Sequence, residues 1–200
     1  GEPMNKIFRI FSLIAALTIG VVGYASAYSE REGLDIYQRG LYLEAIEYWK
    51  KAAAAGDAGS AFRLSEEYFD AKIVKRDLKV AFQYLQQAAK GNDARAITDL
   101  ASFYDYGTGV AKDRKKAAKL YLRAAKMGMP AAMFNVAAML ETGDGIQMDK
   151  VEAYKFYLLS RDQGFAPFAN KALEEMAATM TVDQIVEAED LADNFVPKAY

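Results

Sequence analysis

The feature that most constrains this chain is an internal repeat of 36 residues. Alanine occurs at positions 45, 81, 117 and 153, each 36 residues after the one before. Two columns of large side chains keep the same spacing, and they comprise Tyr48, Tyr84, Leu120 and Phe156, followed by Trp49, Leu85, Tyr121 and Tyr157. A period of this length is typical of proteins built from stacked copies of one small supersecondary unit.

Within one copy the apolar residues follow helical spacing. Ala117, Tyr121 and Ala124 lie at i, i+4 and i+7, which places them on one face of a helix. Ile97 and Leu100, in the first half of the same copy, have the i, i+3 spacing of another helix. Each copy is therefore predicted to be a helix, a turn and a second helix. Because one helix pair cannot bury both of its faces, stacked pairs are predicted to share a core and form a solenoid.

The turn between the two helices is predicted from the stretch GTGVAKD, residues 107–113. Gly107 ends the first helix, where glycine adopts the left-handed conformation at little cost. A phosphate-binding loop is not favoured, because its lysine follows the last glycine directly, whereas Val110 and Ala111 intervene here. In the second copy Ala71 and Ile73 replace both glycines, so the turn there is expected to differ.

Aspartate recurs before each second helix, at Asp77, Asp113 and Asp149. We expect these carboxylates to cap the helices by accepting hydrogen bonds from free backbone N–H groups. The alternative is a catalytic carboxylate pair or a metal site. Equivalent positions in stacked helices are roughly 10 Å apart, which exceeds the separation of about 5 Å in a retaining glycosidase. Capping is therefore the favoured interpretation.

The first 27 residues have the pattern of an export signal. Residues 1–3 precede the first methionine and are interpreted as a cloning scar. Lys6 and Arg9 precede an apolar stretch that ends in Ala25-Ser26-Ala27, a sequence suited to signal peptidase. Residues 4–27 are therefore predicted to be a cleaved signal peptide, and the mature chain to begin at Tyr28 and to be periplasmic or secreted. The alternative is an uncleaved inner-membrane anchor, since about 20 apolar residues can span a bilayer.

Two residue types that catalysis and metal binding often use are missing. The chain has no cysteine and no histidine, which excludes disulfides, a lipid anchor on cysteine, Cys–His and Ser–His catalysis, and the usual zinc ligands. Its 25 basic and 27 acidic residues give a net charge of −2, a poor electrostatic match for nucleic acid. We therefore expect a non-enzymatic protein with no cofactor, no metal and no nucleic-acid partner.

Two further clusters allow a functional and a structural interpretation. Methionines could hold Cu(I) through their thioethers, but their helical phase favours a core role; they are Met127, Met129, Met133, Met139 and Met148. A run of basic residues avoids the alanine face of its helix and is predicted to be a solvated convex surface. The alternative for this run is docking onto an acidic partner or anionic lipid. It comprises Lys112, Arg114, Lys115, Lys116, Lys119, Arg123 and Lys126.

Together these columns resemble the Sel-one-like repeat (SLR) family, which is related to the tetratricopeptide repeats. Residues 93–128 match most completely, through A-x-x-x-L, G-x-G-V, the capping aspartate and the paired alanines. Residues 129–164 depart at Ser160-Arg161, and residues 57–91 are weaker at the turn. Residues 57–164 are thus read as three SLR repeats. Residues 28–56 resemble a tetratricopeptide hairpin, and residues 165–200 are expected to be capping helices, one over 167–180 and a last one capped by Thr181.

The resemblance implies an all-α fold, a right-handed superhelical solenoid of stacked antiparallel helix pairs with a concave groove. It also implies a non-catalytic protein that gathers other proteins. The favoured function is a periplasmic adaptor of a Gram-negative bacterium that binds a protein or peptide, with an envelope protein as the expected partner. One alternative is an envelope sensor-regulator that inhibits a membrane signalling partner. A cell-wall-active enzyme is a third class, which the missing histidine and cysteine disfavour.

By analogy with tetratricopeptide repeats, the groove is lined by the first helix of each copy. Aromatic side chains mixed with hydrogen-bonding groups suit the binding of a protein or peptide. An alternative places Phe62, Phe69 and Phe134 in the core between helices. The residues predicted to contact the partner are Phe62, Arg63, Glu66, Phe69, Arg95, Thr98, Asp99, Ser102, Phe134 and Asn135.

Overall fold

The structure, a computed structural model, describes residues 28–199. All regular structure in this range is helical, and the predicted helical solenoid is confirmed. A π-helical segment, Arg161–Phe165, joins the eighth helix to the ninth. The helices are α1 (Glu30–Gln38), α2 (Tyr42–Ala54), α3 (Ala58–Asp70), α4 (Leu78–Lys90), α5 (Ala94–Tyr106), α6 (Arg114–Lys126), α7 (Pro130–Thr142), α8 (Lys150–Ser160), α9 (Ala166–Ala177) and α10 (Val182–Asp193).

The helices stack in chain order. The pairs α3–α4, α5–α6 and α7–α8 form the most extensive contacts, and each second helix also packs on the first helix of the next pair. The terminal helix α10 packs on α8. Between residues 28 and 199, no helix is both long enough and apolar enough to span a membrane. The predicted signal peptide, residues 4–27, and the scar at residues 1–3 lie outside the described residues.

The alanine column forms the centre of the core. Ala45, Ala81, Ala117 and Ala153 are all completely buried. A methyl side chain lets two helix axes approach toward the short end of the usual 8–10 Å range. The next column supplies the bulk, because Trp49, Tyr121 and Tyr157 are each at most 2% exposed. The predicted division between small and large core positions is therefore confirmed.

The predicted turn chemistry is also confirmed. Gly107 ends α5 in the left-handed conformation with φ of 74°. The carboxylate of Asp113 accepts a hydrogen bond from the Lys116 backbone N–H at 2.9 Å, and thus caps α6. Asp77 and Asp149 cap α4 and α8 in the same way. The glycine and the capping aspartate of the GTGVAKD turn are therefore architectural.

The turn of the second copy keeps part of this geometry, and the expectation that it differs locally is confirmed at the second glycine position, because Gly109 and Gly145 have positive φ whereas Ile73 does not. Ala71 takes the left-handed conformation that glycine takes elsewhere, with φ of 59°. The backbone N–H of Asp77 donates to the Tyr68 carbonyl at 2.9 Å, matching the bond from Asp113 to Tyr104 at 2.8 Å. A left-handed alanine costs about 1–2 kcal/mol. The packing and hydrogen bonds of the repeat outweigh that cost.

The second glycine of the turn has a role that the sequence pattern does not reveal. Gly145 lies against the first residue of α6, so that a Cβ atom on it would come 2.6 Å from the Arg114 carbonyl carbon. Gly109 lies in the same way against Leu78, the first residue of α4, with 3.0 Å to its Cβ. Each of these two turns therefore contacts the start of the second helix of the preceding copy.

The C-terminal segment contains the two predicted helices, and the first of them, α9, ends at Ala177 rather than at residue 180. Thr181 forms a capping box with Gln184 at the start of α10, as its sequence position predicts. This last helix packs on α8. The chain then turns back, and the backbone N–H of Lys198 donates to the carbonyl of Lys126, the last residue of α6, at 2.8 Å. The end of the chain is thus tied to the side of the solenoid.

Candidate functional site

The residues predicted to line the groove lie on α3, α5 and α7. Two of them are buried, Phe62 at 5% and Thr98 at 8% exposure. Thr98 donates its hydroxyl hydrogen to the Ala94 carbonyl at 2.8 Å, so neither side chain is presented to a partner. The remaining predicted residues are at least partly exposed: Arg63, Glu66, Phe69, Arg95, Asp99, Ser102, Phe134 and Asn135.

Phe62 is buried because two arginines cover it. The Arg95 guanidinium carbon lies 4.4 Å from the centroid of the Phe62 ring, and that of Arg63 lies 5.9 Å away. Cation–π attraction holds a guanidinium at this distance from an aromatic face. Phe62 is therefore a buried residue that packs beneath the two arginines. This agrees with the alternative interpretation, which places Phe62 in the core.

The two arginines converge on Glu30, a residue that the sequence pattern does not identify. Both NH groups of Arg95 donate to the two Glu30 carboxylate oxygens at 2.8 Å. Arg63 donates to Glu30 Oε1 at 2.7 Å and to Glu66 at 2.9 Å. Asp93 also accepts from Arg95, at 2.5 Å. These five residues, named here the Glu30 network, connect α1, α3 and α5.

In the Glu30 network two positively charged arginines pair with three carboxylates. The hydrogen bonds from Arg95 hold the pKa of the Glu30 carboxyl below its usual range, although partial burial opposes this shift. The same bonds raise the pKa of Arg95 further. Arg63 and Arg95 are thus engaged by carboxylates within the chain. They organise the surface of the first helices, and a partner would have to displace these bonds to use them as anchors.

Beside this network a cleft of about 280 Å³ opens between α3 and α5. Its floor is Leu85, which belongs to the column that holds Trp49, Tyr121 and Tyr157 in the other copies. In the fourth copy the larger Tyr157 reaches Glu141 with its hydroxyl at 3.0 Å. Leucine is too short to do so. The residues that line the cleft are Ser65, Glu66, Phe69, Asp70, Leu85, Asp99, Ser102 and Phe103.

The carboxyl group of Asp99 in this cleft has a perturbed pKa. Desolvation, together with the negative charges of Glu66 and Asp93, raises that pKa to about 6, and the positive charge of Arg95 opposes this shift. Asp99 as a whole residue remains exposed to solvent. Its pKa is raised because protein atoms surround the carboxyl group itself. Because the folded state holds this proton more tightly than the unfolded chain, the contribution of Asp99 to the free energy of unfolding rises as pH falls through 6 toward 3.8.

An aromatic cluster lies at the other end of the first-helix surface. The ring of Phe134 on α7 lies 6.2 Å from those of Phe165 and Phe168, and 5.4 Å from that of Tyr157. Phe168 on α9 is 66% exposed. Sequence reasoning identified Phe134 but missed Phe165 and Phe168. Their signal is the GFAPF stretch at residues 164–168, which begins where the fourth copy ends.

Other predicted groups have structural partners. In the basic run, Arg114 pairs with Asp105 at 3.1 Å and with Asp144 at 2.6 Å, and Arg123 donates to Asn92. Its exposed members are Lys112, Lys115, Lys116 and Lys119. Of the methionines, Met133 and Met139 are buried in the core, Met127 and Met129 are half-buried, and Met148 is exposed. Within residues 28–199, no group of three or more acidic residues is arranged to hold a metal ion.

A family model, the Sel1 repeat, matches four successive segments of the sequence, residues 24–57, 58–93, 94–129 and 130–165. The chain belongs to the Sel1 repeat family. The SLR family resemblance that the repeat columns indicate is thereby confirmed. The first match includes the hairpin at residues 28–56 that resembles a tetratricopeptide unit. Sel1 repeat proteins generally serve as scaffolds for protein–protein interaction rather than as catalysts.

Two solved structures show the same fold, and a third gives a weaker match. A Sel1 repeat protein from Oxalobacter formigenes is 32% identical, with a TM-score of 0.59 over 64% of this chain and 95% of that one. The protective antigen c5321 of uropathogenic Escherichia coli, which displays an SLR fold, is 22% identical, with a TM-score of 0.51 over 82% of this chain and 44% of that one. Helicobacter pylori cysteine rich protein B is 21% identical, with a TM-score of 0.47 over 71% and 94%. Comparison with curated proteins gives no match.

Proposed function

We propose that this Sel1 repeat protein is an exported adaptor that binds an extended segment of a partner protein along its first helices. The binding surface, named here the first-helix surface, is formed by α3, α5, α7 and α9. The observation that carries the proposal is that this surface combines an open cleft beside Asp99 with exposed aromatic rings, Phe69 at 36% and Phe168 at 66% exposure. Aromatic anchors and polar pockets are the features on which protein recognition depends most.

The rigidity of the surface supports this function. The Glu30 network fixes three first helices relative to one another before a partner arrives. A preorganised surface loses less conformational entropy on binding than a flexible one. Arg63 and Asn135, which sequence reasoning favours as contacts, are less suitable probes, because Arg63 holds Glu30 and the Asn135 amide donates to Ala131 at 2.9 Å.

Photo-crosslinking tests the proposed surface. We expect p-benzoylphenylalanine in place of Phe69 or Phe168 to crosslink the same partner in an envelope extract. The same probe at Lys119, an exposed position on α6, serves as the matched control and should give no such product. Crosslinking from Lys119 alone would instead assign binding to the basic second-helix surface. Salt should then abolish it, because exposed charges are screened beyond about 10 Å at 0.1 M.

Export has its own test. We propose that residues 4–27 direct the chain out of the cytoplasm and are removed, so that the native product begins at Tyr28. Ala25 and Ala27, the small side chains that signal peptidase accepts before the cut, support this proposal. The intact mass of native protein from an envelope fraction should equal that of residues 28–200. A mass that still includes residues 4–27 would instead indicate a membrane anchor.

A further inference from the structure

The cleft between α3 and α5 has the side chains that a pocket for a cation requires. The rings of Phe69 and Phe103 lie 5.7 Å apart, centroid to centroid, and form apolar walls above Leu85. Glu66, Asp70 and Asp99 contribute carboxylates to the same lining. A long side chain that ends in a positive charge buries its methylene groups against such walls and places its charge beside the carboxylates.

The charges around the cleft are already paired, with one exception. Arg63 holds Glu66 at 2.9 Å, and Lys72 holds Asp70 at 2.9 Å. Arg95 is bound to Glu30 and Asp93, and Arg76 lies on the Phe69 ring at 5.2 Å. Tyr121, whose pKa is raised by burial and by Asp105, faces the same region from α6. Glu66 and Asp70 are thus paired, whereas Asp99, the third lining carboxylate, has no ion pair or hydrogen bond within residues 28–199.

Asp99 therefore occupies an environment that favours an incoming positive charge. Burial and the neighbouring carboxylates make its ionised form unfavourable, and its pKa is raised to about 6. An ammonium or guanidinium group beside it would reverse that penalty. The volume of about 280 Å³ is below the range for drug-sized ligands and suits a single side chain.

We propose that this cleft binds the cationic side chain of one lysine or arginine, with Asp99 accepting the charge and Phe69 and Phe103 flanking the methylene groups. This inference rests on the proposed function, because the side chain belongs to the partner segment that lies along the first-helix surface. The cleft then fixes the register of the segment, since a positive residue can enter only where leucine replaces the larger column residue.

Nuclear magnetic resonance titration of the ¹⁵N-labelled chain tests this inference directly. The probes are the peptide acetyl-Gly-Ala-Lys-Ala-Gly-amide, its arginine form, and a form with norleucine, which keeps the methylene chain and lacks the charge. The lysine or arginine peptide should shift the backbone amide signals of residues 65–70 and 99–103. The norleucine peptide should leave those signals unchanged. Spermidine distinguishes a peptide pocket from a site for free polyamines, and should bind more weakly than the peptides.

Two variants and a control locate the effect. Asp99→Asn removes the charge at nearly constant size, and should weaken binding about tenfold or more, the usual effect of losing a charge-assisted hydrogen bond. Leu85→Tyr introduces the residue found at the same column position in the next copy, and should fill the cleft and abolish binding. Glu187→Gln removes a negative charge from α10 and should bind as the wild type does. Binding should also weaken as pH falls below 6, because protonated Asp99 carries no charge.

Several results would overturn the inference. Equal shifts with the norleucine peptide would show that charge does not matter, and unchanged affinity in both cleft variants would show that the cleft is not the site. Tighter binding of spermidine would assign the cleft to free polyamines. If the Leu85→Tyr variant, with p-benzoylphenylalanine in place of Phe168, still crosslinks the partner, the adaptor function stands and the proposed cation pocket fails. If neither Phe69 nor Phe168, replaced by p-benzoylphenylalanine in the otherwise wild-type chain, crosslinks a partner, the adaptor function itself fails.

Discussion

Replacing Gly145 with alanine should lower the free energy of unfolding by about 3 kcal/mol. The first cause is the left-handed backbone at this position, φ of 76°, which costs an L-residue about 1–2 kcal/mol. The second cause is the contact with α6, because the new methyl group would overlap the Arg114 carbonyl group. A carbonyl in a helix cannot move aside as a flexible side chain can. Chemical denaturation followed by helical circular dichroism measures the loss.

Two other glycines separate these causes. Gly40 has nearly the same backbone angle, φ of 80°, but has no atom within 4 Å of its added Cβ position. Gly40→Ala should therefore cost only the conformational part, about 1 kcal/mol. Gly109→Ala, with Leu78 Cβ at 3.0 Å, should lie between the two. If Gly145→Ala and Gly40→Ala lower the free energy of unfolding equally, the contact of Gly145 with Arg114 does not contribute to the loss.

Replacing Ala117 with leucine should destabilise the solenoid by about 1–3 kcal/mol, the usual cost of overpacking a filled core. Ala117 is completely buried, and its column has alanine in four successive copies. Three additional carbons at this point would push α6 away from its neighbours. The same denaturation experiment applies. A change in the midpoint with an unchanged slope would indicate loss of stability within one cooperative transition.

Lys116→Leu is the matched control for that experiment. It introduces the same side chain one residue earlier, at an exposed position. The variant loses the contact of the Lys116 ammonium with the Tyr104 ring at 4.6 Å, which is worth about 0.5–1 kcal/mol at an exposed site. The expected loss is therefore at most about 1 kcal/mol. Equal losses in the two variants would mean that α6 does not present Ala117 to the core.

Much of the fold is predictable because each local signal recurs in register. The alanine column, the large-residue column and the capping aspartates each appear at least three times, so a single ambiguous position cannot change the assignment. Ala71 shows the limit of residue preference. Alanine disfavours the left-handed conformation, yet Ala71 adopts it, and the Asp77 backbone N–H donates to the Tyr68 carbonyl as Asp113 does to Tyr104. Packing of the whole copy outweighs the preference of one residue.

The candidate site is less predictable, because it depends on departures from the repeat. Glu30 meets Arg63 and Arg95 across 33 and 65 residues, and no column marks such a contact. Helical spacing also leaves open on which side of α3 Phe62 lies, and the arginines above it decide that it is buried. The cleft does have a signal in the sequence. Leu85 is the one aliphatic residue in a column that otherwise contains Trp and Tyr.

Gly145 contacts Arg114, and Gly109 contacts Leu78. These contacts require a fixed number of residues between each turn and the helix start that it touches. The distance along the chain from the contacted helix start to the glycine is 31 residues in both cases, 145 minus 114 and 109 minus 78. Inserting a few residues inside a copy would move the glycine off its contact. Duplicating a whole 36-residue unit would preserve every such contact. This molecule can thus grow by complete modules, and its reach along a partner can change in discrete steps while its interior stays the same.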